Sequence, residues 1–475
     1  MDKVKKNVAY NIAYQILIYI IPLVTAPYLS RTIGADGVGV FSFTYSIVYY
    51  FTMITILGLN IYGSKSIAQC GDDKQARSKL FWNLYIVEMV IGFAMLAIYL
   101  GYVFITSPAY KEIALIQSLL IVSAILDINW LFFGLEEFKI TVTRNALIKF
   151  TSLVLIFTLV KSEKDLAIYT AIMAGTPIIA QLIMWTFASK RLVFVKPEWA
   201  EIKKHLLPNL ICFVPAIAGV MFKMMDKIML GILSTFAEVG YYENAEKIIS
   251  VPIVIITALG TVMLPRMSSI AKNGKKGQEE QYISDSLDFA MFMASAMCFG
   301  LMAVSGNFAV LYFGKAFERT GLLILLLALT IPCFSFANVI RSQYLIPHDM
   351  DKVYLKAMGM GVIINLVLNL ILIPLLSGAG ACIATVIAEL AVTAVHVYSV
   401  RNALDVKKYI FSSVLFLLTG LMMFGVVYSM RNLQTSGIVK LLVQIIVGVV
   451  VYFMLNSRYI KQNIDLEDIF KRRRR

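Results

Sequence analysis

Residues Tyr409–Ser429 read YIFSSVLFLLTGLMMFGVVYS, a run of 21 residues without a single charge. A helix rising about 1.5 Å per residue needs roughly 20 apolar residues to cross roughly 30 Å of hydrocarbon. The run is continuous and does not alternate with period two, so it reads as a spanning helix and not as a barrel strand. Comparable runs recur along the whole chain, near 8–30, 38–62, 80–105, 113–134, 145–160, 165–188, 206–232, 248–265, 286–305, 320–341, 354–375, 379–400 and 437–457. With the quoted one they predict an all-α polytopic membrane protein of about 14 transmembrane helices. The run at 145–160 is short, and its helix extends backward through Lys149 and Arg144 if it spans.

Composition agrees. Hydrophobic residues make up 59% of the 475 and charged ones only 15%, with a mean hydropathy of +0.78; soluble proteins carry about 25% charged residues. A soluble surface cannot hide so much apolar area, so the excess faces lipid. The first run has spanning length and no small-residue cleavage site behind its basic start, so it reads as a retained helix and not as a signal peptide. The five cysteines are scattered without metal-ligand spacing and read as inert thiols.

The net charge of +14 invites a nucleic-acid reading, which its distribution rejects. With the N-terminus placed inside, the inner segments hold 32 of the 43 Lys and Arg and the outer ones 9; Lys223 and Lys227 lie within a span. Cytoplasmic loops carry such an excess, which predicts an even helix count with both ends inside.

Two short repeats suggest a duplication. Val38-Gly39-Val40-Phe41 is matched by Val239-Gly240-Tyr241-Tyr242, and Ser66-Ile67-Ala68 by Ser269-Ile270-Ala271, at offsets of 201 and 203. The expected organisation is an N-lobe over 1–188 (six helices), a cytoplasmic linker at 189–204, a C-lobe over 205–401 (six more) and a segment 402–475 with two helices and a basic tail. Parallel repeats of this kind place a cavity between the lobes.

Polar residues at membrane depth are the candidate functional groups, since each charge there is costly by about 2.5–3.5 kcal/mol. Lys223, Asp226 and Lys227 share one helical face. Asp226 is expected to neutralise one lysine, leaving a positive charge that either snorkels to the interface or lines a cavity. Asn7, Asn11 and Gln15, with Tyr10 and Tyr14, form a polar stripe on the first helix and read as a cavity wall. Asn365 and Asn369 read as glue between helices. Glu88, Asp127 and Glu389 are buried-carboxylate candidates, and His396 reads as an interface residue. Arg31 and Asp36 sit together at the outer end of the first helix. There is no phosphate-binding G-x-x-x-x-G-K-[ST] loop and no H-E-x-x-H, which argues against an ATPase or a zinc hydrolase. Asp349-Met350-Asp351 is too short a pattern to carry a glycosyltransferase reading.

Four segments carry a family resemblance: Arg31-Thr32-Ile33-Gly34-Ala35-Asp36-Gly37-Val38-Gly39-Val40-Phe41, Asn129-Trp130-Leu131-Phe132-Phe133-Gly134-Leu135-Glu136, Gln343-Tyr344-Leu345-Ile346-Pro347, and Gly378-Ala379-Gly380-Ala381 with Glu389. Together they resemble the Wzx-type (RfbX-like) oligosaccharide flippases of the multidrug/oligosaccharidyl-lipid/polysaccharide exporter superfamily. Phe133 departs from relatives that often have Gln. The resemblance implies a MATE-like fold of six plus six plus two helices in a bacterial inner membrane. It implies a non-enzymatic carrier of undecaprenyl-diphosphate-linked oligosaccharide for capsule, exopolysaccharide or O-antigen assembly, working among membrane lipids and other polysaccharide-assembly proteins without a cofactor. On it, Arg31, Lys223 and Lys227 are expected to meet the diphosphate, Asn11, Tyr14 and Gln15 the sugar. Glu88, Asp226 and Glu389 are expected to carry a coupling proton or sodium ion. The alternatives are another exporter of the superfamily, for teichuronic acid, lipid II or cationic drugs, and a membrane glycosyltransferase or polymerase.

The orientation is testable by reporter fusions. A fluorescent protein that matures only in the cytoplasm should glow when fused after residue 196, and a phosphatase active only outside should work when fused after residue 235. The reverse pattern would invert the topology.

Overall fold

The structure, a computed structural model, describes residues 18, 20–106, 109–272, 276–433 and 435–459. The stripe of Asn11, Tyr14 and Gln15 lies outside these residues, as does the side chain of Lys223. Among the described residues there is no strand. Eleven helices are long and apolar enough to cross a membrane, or up to 13 if two bent pairs each count as one span.

The chain divides into two compact units, residues 1–243 and 244–475. The first holds α1 (20–32), α2 (Gly34–Ile56), α3 (Leu59–Gln69), α4 (Lys74–Thr106), α5 (Lys111–Ile125), α6 (Asn129–Gly134), α7 (Phe138–Leu159), α8 (Leu166–Ala188), α9 (Trp199–Leu233) and the start of α10 (Phe236–Lys272). The second holds the rest of α10, then α11 (Lys276–Phe313), α12 (Glu318–Leu327), α13 (Thr330–Ile340), α14 (Asp351–Leu376), α15 (Gly378–Val400), α16 (Val406–Ser429) and α17 (Gly437–Leu455).

Breaks in these helices have local causes. α2 and α3 form one span interrupted at Leu57, whose φ of 50° is left-handed. Between α5 and α6 the chain unwinds at 126–128, and the Asp127 carboxylate accepts the Asn129 N–H at 2.7 Å, one of the N–H groups a helix start leaves without an intrahelical partner. α10 bends by 42° between Ala258 and Met263. Pro265 there has no N–H for the Thr261 carbonyl and crowds it. The 41° bend between Leu327 and Thr330 is explained in the same way by Pro332, four residues beyond Ala328. A π-helical turn follows at Arg341–Leu345.

The core of the first unit is aromatic. Phe81 of α4 stacks on Trp130 of α6, centroids 5.2 Å apart, and on Tyr85, with Trp185 of α8 against Tyr85. In the second unit the α16–α17 hairpin is tied to α11 by polar groups. Tyr452 Oη donates to the Phe292 carbonyl at 2.8 Å and Ser295 Oγ to that of Phe416 at 2.5 Å. Such bonds are worth about 0.6 kcal/mol each in a membrane; they fix register more than stability. Asn369 donates to Asn365 at 3.1 Å within α14, and Asn365 to Thr385 of α15 at 3.4 Å, so Asn365 is glue between the two helices. The outward faces of α14, α16 and α17 expose Leu370, Ile371, Leu418, Met422 and Ile446, as lipid contact requires. His396, read as an interface residue, is instead buried beside the ring of Tyr354, because α15 packs that face on its neighbours.

The closest backbone approach joins the first turns of α2 and α10. A Cβ on Gly39 would lie 1.7 Å from the Phe236 carbonyl oxygen, and one on Gly240 would lie 2.2 Å from that of Ala35. The contact is reciprocal, since residues 35 and 39 stand 201 positions before 236 and 240. That is the offset of the first sequence repeat. Only glycine permits such proximity. Gly39→Ala and Gly240→Ala should each cost about 1–3 kcal/mol by overpacking. Gly101→Ala, where a Cβ would meet nothing within 4 Å, should be neutral or stabilising by helix propensity. Thermal melting of the three purified variants in detergent checks the ranking.

Candidate functional site

The candidate site lies in the first unit, along one face of α2. Ser42, Tyr45, Tyr49, Thr52 and Ile56 recur at spacings of three and four, which puts them in one helical row. Four of them, with Leu120, Ser123, Ala124 and Asp127, line a cavity of about 140 Å³. The aromatic members are arranged in series, Phe41 stacked on Tyr45 and Tyr45 leaning on Tyr49, at centroid distances of 5.9 and 5.6 Å.

At one end of this face stands a buried ion pair. Lys227 Nζ of α9 lies 3.0 Å from Glu243 Oε2 at the start of α10, and Ser42 Oγ donates to the same oxygen at 2.7 Å. Next to it, Tyr242 Oη donates to Asp226 Oδ2 at 2.6 Å. Tyr45 is within electrostatic reach of both Lys227 and Glu243. The spacing on α9 suggested that Asp226 would neutralise a lysine of its own helix. Lys227 instead takes its counter-ion from α10. Successive residues on a helix point about 100° apart, so positions 226 and 227 meet the two successive residues 242 and 243. α10 begins at Phe236, a dozen residues before the apolar run, and Glu243 therefore sits on a helix where the sequence suggested a loop.

At the other end a buried polar network surrounds the helix break. Glu88 of α4 is fully buried; the Trp130 indole donates to its Oε2 at 3.3 Å, while its Oε1 has no partner among the described residues. Asp127 is within electrostatic reach of it. Arg144 of α7 is buried too and donates to Asn129 Oδ1 at 2.9 Å, Asn145 Oδ1 at 2.5 Å and the Ala180 carbonyl at 3.1 Å. The sequence expected the helix to extend backward through Arg144, as it does, but offered no partner for the charge. Its tethers explain how α7 starts at Phe138 and carries an arginine below the surface, as buried charges need full hydrogen bonding.

The other candidate residues have these places. Arg31 is exposed, its Nη1 donating to the Pro27 carbonyl at 3.3 Å. Glu389 is half-buried on α15 in the second unit, its backbone carbonyl accepting from Thr393. Phe133 stacks on Phe138. Among the described residues no three His, Cys, Asp or Glu are placed to hold a metal ion. The stripe on α2 was missed because Tyr and Thr at helical spacing look like ordinary packing residues until the neighbouring helices leave them a cavity.

Breaking a buried ion pair from one side strands the other charge, at a cost of about 3–5 kcal/mol. Lys227→Met should therefore destabilise by about that amount, and Lys227→Met/Glu243→Met should recover most of it. Thermal unfolding of the purified variants reads both, and equal losses in the two would show that the pair carries no coupling.

Residues 4–271 match the family model described as polysaccharide biosynthesis protein. Among curated relatives, the putative O-antigen transporter of Escherichia coli (strain K12) is 24% identical over 410 residues, covering 84% of this chain and 97% of that protein. Among solved structures, the lipid II flippase MurJ in an inward closed conformation superposes with a TM-score of 0.75 at 16% identity, covering 96% of this chain and all of the other. An inward-facing multidrug-resistance MATE family transporter of the MOP superfamily superposes with a TM-score of 0.58 at 14% identity, covering 87% of this chain and all of the other. The fold is thus MATE- and MurJ-like, and this multi-pass membrane protein belongs to the polysaccharide biosynthesis protein family.

Proposed function

We propose that this chain is a flippase moving undecaprenyl-diphosphate-linked oligosaccharide units from the cytoplasmic to the outer leaflet of a bacterial cell membrane, for capsule, exopolysaccharide or O-antigen assembly. The observation that carries the reading is the polar, aromatic face of α2 at membrane depth, running from the Lys227–Glu243 pair towards Asp127. It gains weight from the near full-length similarity to a protein named a putative O-antigen transporter. Tyrosine faces suit sugar rings, and their hydroxyls suit sugar hydroxyls. A diphosphate cannot cross hydrocarbon bare and needs cationic, charge-assisted donors.

In this reading the diphosphate competes with Glu243 for Lys227, with Lys223 and Arg31 as further cations. The sugar would follow the α2 face, together with Asn11, Tyr14 and Gln15. Both ends of the chain stay cytoplasmic, 1–188 and 205–401 act as the two lobes, and alternating access is driven by a proton or sodium gradient carried by Glu88, Asp226 or Glu389. Work is done by binding and movement, with no bond made or broken, so the chain is a carrier and not an enzyme. Among the described residues of the first unit the buried carboxyls Glu88, Asp226 and Glu238 outnumber the buried cations Arg144 and Lys227, and this favours a second reading, a cation-coupled exporter of amphipathic cations.

Proteoliposomes loaded with a fluorescent lipid-linked oligosaccharide distinguish the two. Translocation is expected, faster with an imposed proton or sodium gradient than without. Indifference to both gradients would remove the coupling, and transport of dye cations alone would favour the exporter. Replacing Lys223, Lys227 and Glu243 together by Gln removes cations without stranding Glu243. It should slow flipping by at least about tenfold, the worth of one charge-assisted contact, with protein level unchanged. Wild-type flipping in that variant would clear both lysines of a substrate role.

A further inference from the structure

The second unit contains a cationic pocket to which the transport reading assigns no role. It opens at the end of the α16–α17 hairpin against α11 and α12 and has a volume of about 270 Å³. Asn307, Gly306, Tyr428, Arg431, Lys440 and Gln444 are among its lining residues. Two like charges converge there: Lys440 Nζ donates to the backbone carbonyl of Arg431, and the Arg431 guanidinium lies over the Tyr428 ring, 4.6 Å from its centroid, with Nη1 on the Tyr428 hydroxyl. Among the described residues neither cation has a carboxylate partner.

The pocket also has a polar floor. Gln444 follows Lys440 by one helical turn and is 2% exposed. Its amide nitrogen reaches the Val427 carbonyl at 3.4 Å, and its Oε1 has no donor among the described residues. A buried amide oxygen without a donor costs about 1–3 kcal/mol and calls for a ligand that brings one. Asn307 Nδ2 holds the hairpin by donating to the Gly437 carbonyl at 3.0 Å, and at Gly306 a Cβ would meet nothing within 4 Å. Met302, Leu322 and Leu325 also line it, and Leu322 is exposed, apolar surface of the kind acyl chains cover.

We propose that this pocket binds the headgroup of an anionic glycerophospholipid. The phosphodiester sits between Arg431 and Lys440, a headgroup hydroxyl donates to Gln444 Oε1, and the acyl chains run over Leu322 of α12. Two cations need an anion, the buried acceptor needs a hydroxyl donor, and the apolar lining suits chains; a phosphoglycerol lipid supplies all three. Paired cations hold phosphate groups by charge-assisted hydrogen bonds. Bound there, the lipid joins α11, α12 and the hairpin into one surface.

The test uses full-length protein in nanodiscs and a photoactivatable phosphatidylglycerol, with the labelled peptides mapped by mass spectrometry. Labelling is expected on the hairpin and on α11, reduced roughly 10- to 30-fold in Arg431→Gln/Lys440→Gln, about what the loss of a charge-assisted hydrogen bond costs. Lys407→Gln/Lys408→Gln, at the opposite end of α16, should keep the hairpin label. Excess unlabelled phosphatidylglycerol should compete, whereas phosphatidylcholine and soluble glycerol phosphate should not. Unchanged labelling in the Arg431/Lys440 variant, or displacement by glycerol phosphate, would overturn the proposal. Thermal melting shows whether the variant is folded. If it is not, Gln444→Met tests the same pocket, with reduced hairpin labelling expected and wild-type labelling counting against the proposal.

Discussion

A bilayer offers no hydrogen-bonding solvent, so every peptide group and every charge placed in it must be satisfied within the protein. Helices satisfy the peptide groups one segment at a time. Charged and polar side chains cannot be satisfied that way, because the helix that carries them offers few partners. They are met by residues from neighbouring helices, and the places where this happens define the interior of each unit. The Lys227–Glu243–Ser42 cluster draws on α9, α10 and α2, and the Arg144 network draws on α6, α7 and α8.

The same constraint explains the departures from regular helix. Where α5 gives way to α6, the Asp127 carboxylate takes up a freed N–H, and the break leaves that carboxylate beside a cavity. Where α2 and α10 meet, two glycines let backbones approach more closely than any side chain would permit. That approach brings Glu243 within reach of both Lys227 and Ser42. Close packing and charge matching are therefore one arrangement. The glycine contact sets the distance at which the ion pair forms.

Hydroxyl and aromatic residues on α2 gain their meaning from the same geometry. Tyr45, Tyr49 and Thr52 are half-buried or buried side chains in a span, and in another setting they would be packing. Here α5 turns at 126–128 and leaves a space in front of them. In the second unit Asn365, supported by Asn369, does the opposite work, closing α14 onto α15. Polar residues at similar depth thus serve as a wall in one place and as glue in the other, and the distinction depends on whether the facing helix fills the gap.

The amino-acid sequence by itself determined the class of the fold. Apolar runs of bilayer length are a property of composition along one segment, and they need no knowledge of neighbours to be read. It also marked Lys227, Asp226, Glu88 and Asp127 as groups that must be compensated, since burial of a charge carries its cost wherever the chain goes. Which partner compensates each of them was decided only by tertiary structure. Glu243 lay in an apparent loop, Arg144 had no partner in its own segment, and the α2 face had no charge to draw attention to it. Helical spacing shows which residues share a face of one helix, whereas an ion pair or a cavity depends on the distance between faces of different helices. That distance is set by packing, down to two glycines 201 residues apart, and no local pattern contains it.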